Sequence, residues 1–247
     1  MNDRKTIFRH VATINLSMLF ILWISTGVAF PADADQIINH SIDKFIKVSD
    51  YTCKLDKQVN KNGKLYSDPD VYVKYKKPAQ YYFRWDQGEF KGQEVIFVSG
   101  SNNDKIVAHS GGVFRFFTFH LDPDGYMAMK RNHHSLKESG MEKIMRIIEN
   151  NYHRSKETGL GMIQYVGEAR IDEREVWGIH GVFPKDHGFY AHEIIIYFDK
   201  RLQLPIKIAV YDWSNRLIEQ YNFRNLRINV GFQKCDFDPE NPEYNFF

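Results

Sequence analysis

The chain has 247 residues, 43 % apolar and 15 % aromatic, with 33 Lys/Arg against 31 Asp/Glu and a formal net charge of +2. Near neutrality removes the electrostatic case for a nucleic-acid partner and for strong steering to anionic lipid. The apolar fraction suffices for a real core, and the length suits one domain behind a leader.

The leader comes first. Arg4, Lys5 and Arg9 form a short basic n-region, and residues 11–30 are mostly apolar. Ala32-Asp33-Ala34 fits the A-x-A cleavage rule, with Gly27-Val28-Ala29 as a second possible cut. A signal peptide is therefore predicted over residues 1–34, delivering residues 35–247 as a single domain to a bacterial periplasm. The alternative is an uncleaved inner-membrane tether. The stretch is about the length a bilayer needs, but Asn15, Ser17, Ser25 and Thr26 dilute it. No Cys lies near the cut, so no lipid anchor on the mature protein is expected.

A helix is predicted over 35–49, from the apolar spacing of Ile37, Ile38, Ile42, Phe45, Ile46 and Val48. The period then changes to two in Tyr51-Thr-Cys-Lys-Leu-Asp-Lys-Gln-Val59, as in a half-buried strand. Asn62-Gly63 signals a hairpin turn. Strands are predicted at 71–75, 80–85, 93–99, 104–110, 113–121, 162–169, 174–183, 190–199, 205–212 and 216–230. Short strands at this spacing argue for an antiparallel sandwich or barrel. One helix interrupts them over about 140–153. Its start, Ser139-Gly-Met-Glu142, has the form of a capping box, and Ile144, Met145, Ile147 and Ile148 follow at helical spacing. The tail from Asp236 is expected to be irregular but docked.

Aromatic residues are unusually placed. Tyr81, Phe83 and Trp85 share one face of a strand. Phe114 and Phe116 oppose Phe117 and Phe119, which puts apolar residues on both faces. Two explanations stand: a strand covered on each side, or a sheet whose inner face also lines a cavity for an apolar ligand. Cys53 and Cys235 form either one long-loop disulfide or two free thiols. His180, His187, His192 and Glu193 fall close in sequence but match no zinc frame, and a surface role is expected. A metal-dependent hydrolase on that cluster is the third-ranked reading. No nucleophile elbow, phosphate loop or C-x-x-C pair is present. No catalytic set, cofactor or metal is predicted.

The order of helix, Tyr51-to-Val59 strand, Asn62-Gly63, Val73-Lys-Tyr-Lys-Lys-Pro78 and Phe83-Arg-Trp85 resembles the periplasmic outer-membrane lipoprotein carriers, the LolA-like superfamily. A closer resemblance is to domain-of-unknown-function family 1571, assigned to the same fold. It rests on Gly92-Gln-Glu-Val-Ile-Phe-Val98, Asn103-Asp-Lys-Ile-Val-Ala-His109, Leu121-Asp-Pro-Asp-Gly125, Leu204-Pro-Ile206, Tyr211-Asp-Trp213, Leu217-Ile-Glu-Gln-Tyr221, Asn229-Val-Gly231 and Asp236-Phe-Asp-Pro239. The superfamily resemblance implies a mainly β fold: an incomplete antiparallel β-barrel, or half-barrel, covered by the N-terminal helix and a mid-chain lid helix. It also implies acyl chains bound between barrel and lid. Tyr81, Phe83, Trp85, Phe97, Phe114, Phe116, Ile144, Met145 and Ile148 would then line the cavity. One departure matters: the carriers have Arg before the strand-linking proline, where this chain has Lys77. Lysine lacks the forked geometry of guanidinium, so Lys77 is only a candidate latch. The expected function is a non-enzymatic carrier or sensor whose partners are lipids or lipoprotein acyl chains. The alternative is an interaction module whose concave face takes an inner- or outer-membrane protein.

Overall fold

A computed structural model describes residues 33–112 and 117–246. The predicted signal peptide lies outside the described residues up to position 32, as do Phe114 and Phe116. Within the described residues, no helix is long and apolar enough to cross a membrane.

Eleven strands form one antiparallel sheet in the order β6-β5-β4-β3-β2-β1-β11-β10-β9-β8-β7. In chain order these are β1 (Asp50–Lys61), β2 (Lys64–Lys76), β3 (Gln80–Trp85), β4 (Glu94–Val98), β5 (Ile106–His109) and β6 (Thr118–Leu121), then β7 (Met162–Ile171), β8 (Arg174–Val182), β9 (Glu193–Asp199), β10 (Pro205–Tyr211) and β11 (Leu217–Ile228). Among the described residues β6 and β7 are the edges, so the sheet is a half-barrel, as the resemblance implied. β1 and β2 meet at the predicted turn, where Asn62 (φ 55°) and Gly63 (φ 77°) both take the left-handed conformation that a tight two-residue hairpin requires.

The inner face carries two helices. In α1 (Ala34–Ile46) the Asp33 side chain caps the first turn by accepting from the Asp35 N–H at 3.1 Å. Cleavage after Ala34 would delete that cap, whereas cleavage after Ala29 would keep it. Ile37, Ile38 and Phe45 supply the buried stripe. The long helix α3 (Gly140–Thr158) buries Met141, Ile144, Met145, Ile147 and Ile148 and stops at Gly159 (φ 66°), a left-handed glycine terminator. Between β6 and α3 lie a single helical turn, α2 (Tyr126–Met129), and a 3-10 turn at Leu136–Glu138.

The predicted capping box at Ser139 is not made: the Ser139 side chain accepts no cap hydrogen bond. The Met141 N–H donates instead to the Tyr51 hydroxyl, 3.0 Å away in β1. Gly140 is the enabling residue. It has φ 63°, and a Cβ there would overlap the Tyr51 oxygen. Gly140→Ala is therefore expected to lower stability by about 1–3 kcal/mol, measured as a lower urea midpoint. Adding Tyr51→Phe should recover the steric share of the loss.

The outer face carries the C-terminal tail. Phe237 and Phe246 pack on Tyr82, Ile96 and Val107, and Tyr244 stacks on Tyr82 at 4.2 Å between centroids. Lys74 Nζ pins the tail by donating to Asp236 Oδ1 at 2.9 Å and Tyr244 Oη at 3.0 Å. This arrangement bears on the two readings of the cysteines. Cys53 and Cys235 are both free, one buried and one exposed. Side chains alternate across a strand, so Cys53 shares the inner face with Tyr51 and Leu55, while Cys235 belongs to the tail on the outer face. The sheet itself separates the two sulfurs. Burial pushes the Cys53 thiol far up from its ordinary value.

Candidate functional site

The two halves of the inner face are filled differently. Under α1 and α3, Ile38, Ile148 and Tyr152 interlock with Ile179, Phe183 and Ile194, leaving only about 20 Å³. Over β1 to β5 the sheet is hollow. A cavity of about 710 Å³ is floored by Leu55, Val71, Phe83, Trp85, Val95 and Ala108. That volume is in the range of ligand pockets, about 300–1,000 Å³.

Residues 122–139 roof the cavity as a strap. Lys61 Nζ donates to the Met129 and Asn132 carbonyls at 2.6 Å each, and Lys57 Nζ to Asn132 Oδ1 at 2.6 Å. Arg131 pairs with Glu89 at 3.2 Å. Its guanidinium lies over the Tyr66 and Phe90 rings, at 4.6 and 4.5 Å. His134 Nε2 reaches Tyr190 Oη at 2.8 Å and Glu219 Oε1 at 3.3 Å. Leu65 (53 % exposed) and Met127 (70 % exposed) flank the opening with apolar surface.

Glu219 is the polar centre of this half. It is fully buried, and it accepts from Tyr190 Oη at 2.7 Å and Tyr221 Oη at 3.0 Å. Burial acts to raise its carboxyl, but the His134, Tyr190 and Tyr221 donors outweigh it and hold the group below the usual carboxylate range. Burial and the neighbouring Glu219 charge push the Tyr190 phenol up.

The predicted site residues separate into groups. Phe83 and Trp85 line the cavity. Tyr81 is buried at the start of α3, where its hydroxyl lies 3.2 Å from Glu142 Oε2, and Tyr75 donates to the same oxygen at 2.8 Å. Phe97 is buried beside Tyr81, at 6.5 Å between centroids. Ile144, Met145 and Ile148 lie in the packed half, where Met145 Sδ accepts from Ser41 Oγ at 3.9 Å. Only Gly140 and Lys143 of α3 reach the cavity. Thus α3 is an anchored wall, and the roof is the strap. Lys77 does not latch the strap. Its ammonium donates to the Phe45 and Ile46 carbonyls at 2.9 and 3.0 Å, closing the end of α1 as a cation at a helix C-terminus does.

The histidine cluster opens out. His180 meets Glu193 at 2.7 Å, but His192 turns to the Phe183 carbonyl at 3.1 Å. Among the described residues, no group of three or more His, Cys, Asp or Glu side chains is placed to hold a metal ion. Sequence reasoning missed Leu55, Val71, Val95 and Ala108, although period two places them on the face of Phe83. It also missed Arg131, His134 and Glu219, for which no local pattern exists.

Fold and cavity together define an open antiparallel half-barrel with a roofed hollow on one half of its inner face. Residues 48–246 match the family described as protein of unknown function (DUF1571), and the chain belongs to that family. It is similar to the crystal structure of Mycobacterium tuberculosis lipoprotein LppX, at 13 % identity over 83 % of this chain and 98 % of that one, TM-score 0.49. It is also similar to a LolA superfamily protein from Nitrosomonas europaea, at 9 % identity over 83 % and 97 %, TM-score 0.33. A third is the Pseudomonas aeruginosa MucA/MucB complex, at 12 % identity over 83 % and 60 %, TM-score 0.42. No curated protein matches the chain.

Proposed function

We propose that the protein is a non-enzymatic carrier or sensor of the cell envelope that holds the acyl chain of a lipid or lipidated molecule. The observation that carries this reading is the hollow of about 710 Å³, floored by apolar side chains, against a gap of about 20 Å³ under α1 and α3. Well-packed interiors leave few voids of such size. An acyl chain gains about 0.8 kcal/mol per buried methylene. About twelve methylenes then contribute about 10 kcal/mol, against association costs of about 4–15 kcal/mol. Exchangeable binding follows, which suits delivery or sensing. The periplasmic location rests on the signal peptide expected from the sequence.

Native mass spectrometry of the protein, mildly extracted from its own envelope, is expected to show one acyl ligand per chain. A fluorescent fatty acid is expected to bind the delipidated protein. Ala108→Phe, which grows into the hollow, should weaken that binding at least tenfold without lowering the melting temperature. A clean protein that takes up no probe would sink the proposal. A stoichiometric protein adduct in cells with no lipid would favour the second reading, a membrane-protein partner. That reading draws on the exposed Phe117 and Phe119 beside the strap and Tyr126 on it.

A further inference from the structure

We infer that the cavity is built for an amphiphile with an anionic oxygen head group, a carboxylate, received by the side chains of Trp85 and Arg131. This rests on the proposed function and adds the class of ligand.

The indole Nε1 of Trp85 and the guanidinium Nε of Arg131 are both buried and have no hydrogen-bond partner. Both residues line the same cavity. They also meet the same ring: Trp85 contacts Phe90 edge-on at 6.5 Å between centroids, and the Arg131 guanidinium lies 4.5 Å from its centre. Buried donors are almost always paired, and leaving one unpaired is costly. Two such donors, on residues that line one cavity and pack on one ring, mark a place where an acceptor belongs.

The chemistry of that acceptor is narrow. An indole N–H and a guanidinium N–H only donate, so an ammonium or other donor-only head has nothing to offer them. Arg131 adds positive charge and a planar fork suited to carboxylate. Its plane is set by Tyr66 and Phe90, and its Nη1 is 3.2 Å from Glu89, which stands 71 % exposed. The Nε hydrogen has no acceptor in the protein. From Trp85 the floor continues through Phe83, Val95 and Ala108, with no charged side chain among them, so an apolar chain follows the head. Trp85 ends β3 and Arg131 belongs to the strap. A bound carboxylate would therefore bridge sheet and roof and hold the strap down.

The test uses the delipidated protein and three probes of equal chain length below their micelle thresholds: palmitate, hexadecanol and hexadecylamine. Palmitate is expected to bind at least tenfold more tightly than hexadecylamine, with hexadecanol between them. Trp85→Phe keeps an aromatic side chain and removes the donor. It should weaken palmitate several-fold more than hexadecylamine, and the ratio of the two affinities reports the lost head-group contact apart from any change in packing of the chain. Arg131→Gln should erase most of the preference. Lysophosphatidate separates sources of anionic oxygen: binding weaker than palmitate supports a carboxylate, and tighter binding overturns that choice. Equal binding of the three chains would overturn the head-group inference and leave the cavity reading standing. Failure of all probes would overturn both.

Discussion

Glu219→Ala is expected to lower the unfolding free energy by about 3–5 kcal/mol and to release the strap. The carboxylate accepts from Tyr190 and Tyr221 at 2.7 and 3.0 Å, with His134 Nε2 at 3.3 Å. Truncation strands the buried Tyr221 hydroxyl, at about 1–3 kcal/mol, leaves Tyr190 and His134 only their contact with each other at 2.8 Å, and opens a void as well. Glu219→Gln keeps the volume and should cost about 1–2 kcal/mol. The pH dependence has a definite sign. Because the folded carboxyl is held below its ordinary range, its contribution is complete above the unfolded value of about 4.3. It is lost as pH falls through the folded value. The gap between wild type and Glu219→Gln in urea should therefore be constant from about pH 5 upward and shrink below about pH 4. A gap that widens in acid would contradict the assignment. Hydrogen exchange should show residues 130–139 opening faster in Glu219→Ala, since His134 is the strap's tie to that carboxylate.

Much of the scaffold was legible because its causes are local. Alternation from Tyr51 to Val59 and the Asn62-Gly63 turn are enough to place β1 and the β1–β2 hairpin, and both turn residues take the required positive φ. The stripe of Ile144, Met145, Ile147 and Ile148 reads as a helix for the same reason. What the stripe packs against is not a local property. A helix that fills a core and one that lids a hollow carry the same spacing, and only the sheet's long-range pairing decides. The start of α3 shows the limit most plainly. Ser139 and Glu142 have capping-box form, yet Tyr51, ninety positions away, supplies the cap oxygen. Glu142 turns to Tyr75 and Tyr81. The strap has no periodicity to read, because backbone carbonyls and a few ion pairs hold it rather than an apolar face. The polar cluster around Glu219 draws His134, Tyr190 and Tyr221 from three separate segments, so it is invisible until the chain is folded.

The anchoring of α3 yields the second large expected effect. Glu142 Oε2 accepts from Tyr75 Oη at 2.8 Å and Tyr81 Oη at 3.2 Å. Burial, followed by the Glu142 hydrogen bond, pushes the Tyr75 phenol up, so both tyrosines stay protonated donors. Glu142→Ala leaves the Tyr75 hydroxyl unpaired and Tyr81 with only its 3.4 Å contacts to the Ser139 backbone, and should cost about 2–4 kcal/mol. Tyr75→Phe alone should cost about 1 kcal/mol. The triple variant Glu142→Leu with Tyr75→Phe and Tyr81→Phe removes donors and acceptor together. It should regain most of the loss, because unmade hydrogen bonds are costlier than absent ones. Urea midpoints at constant slope would check the series. The same variants separate the two candidate gates kinetically. Lys61→Met cuts two carbonyl contacts to the strap and should speed uptake of a fluorescent fatty acid several-fold. Glu142→Ala loosens α3 and should leave the uptake rate near wild type. Faster uptake in Glu142→Ala than in Lys61→Met would make α3 the moving element. Entry would then run from the packed half of the face, not past Leu65 and Met127 at the mouth of the hollow.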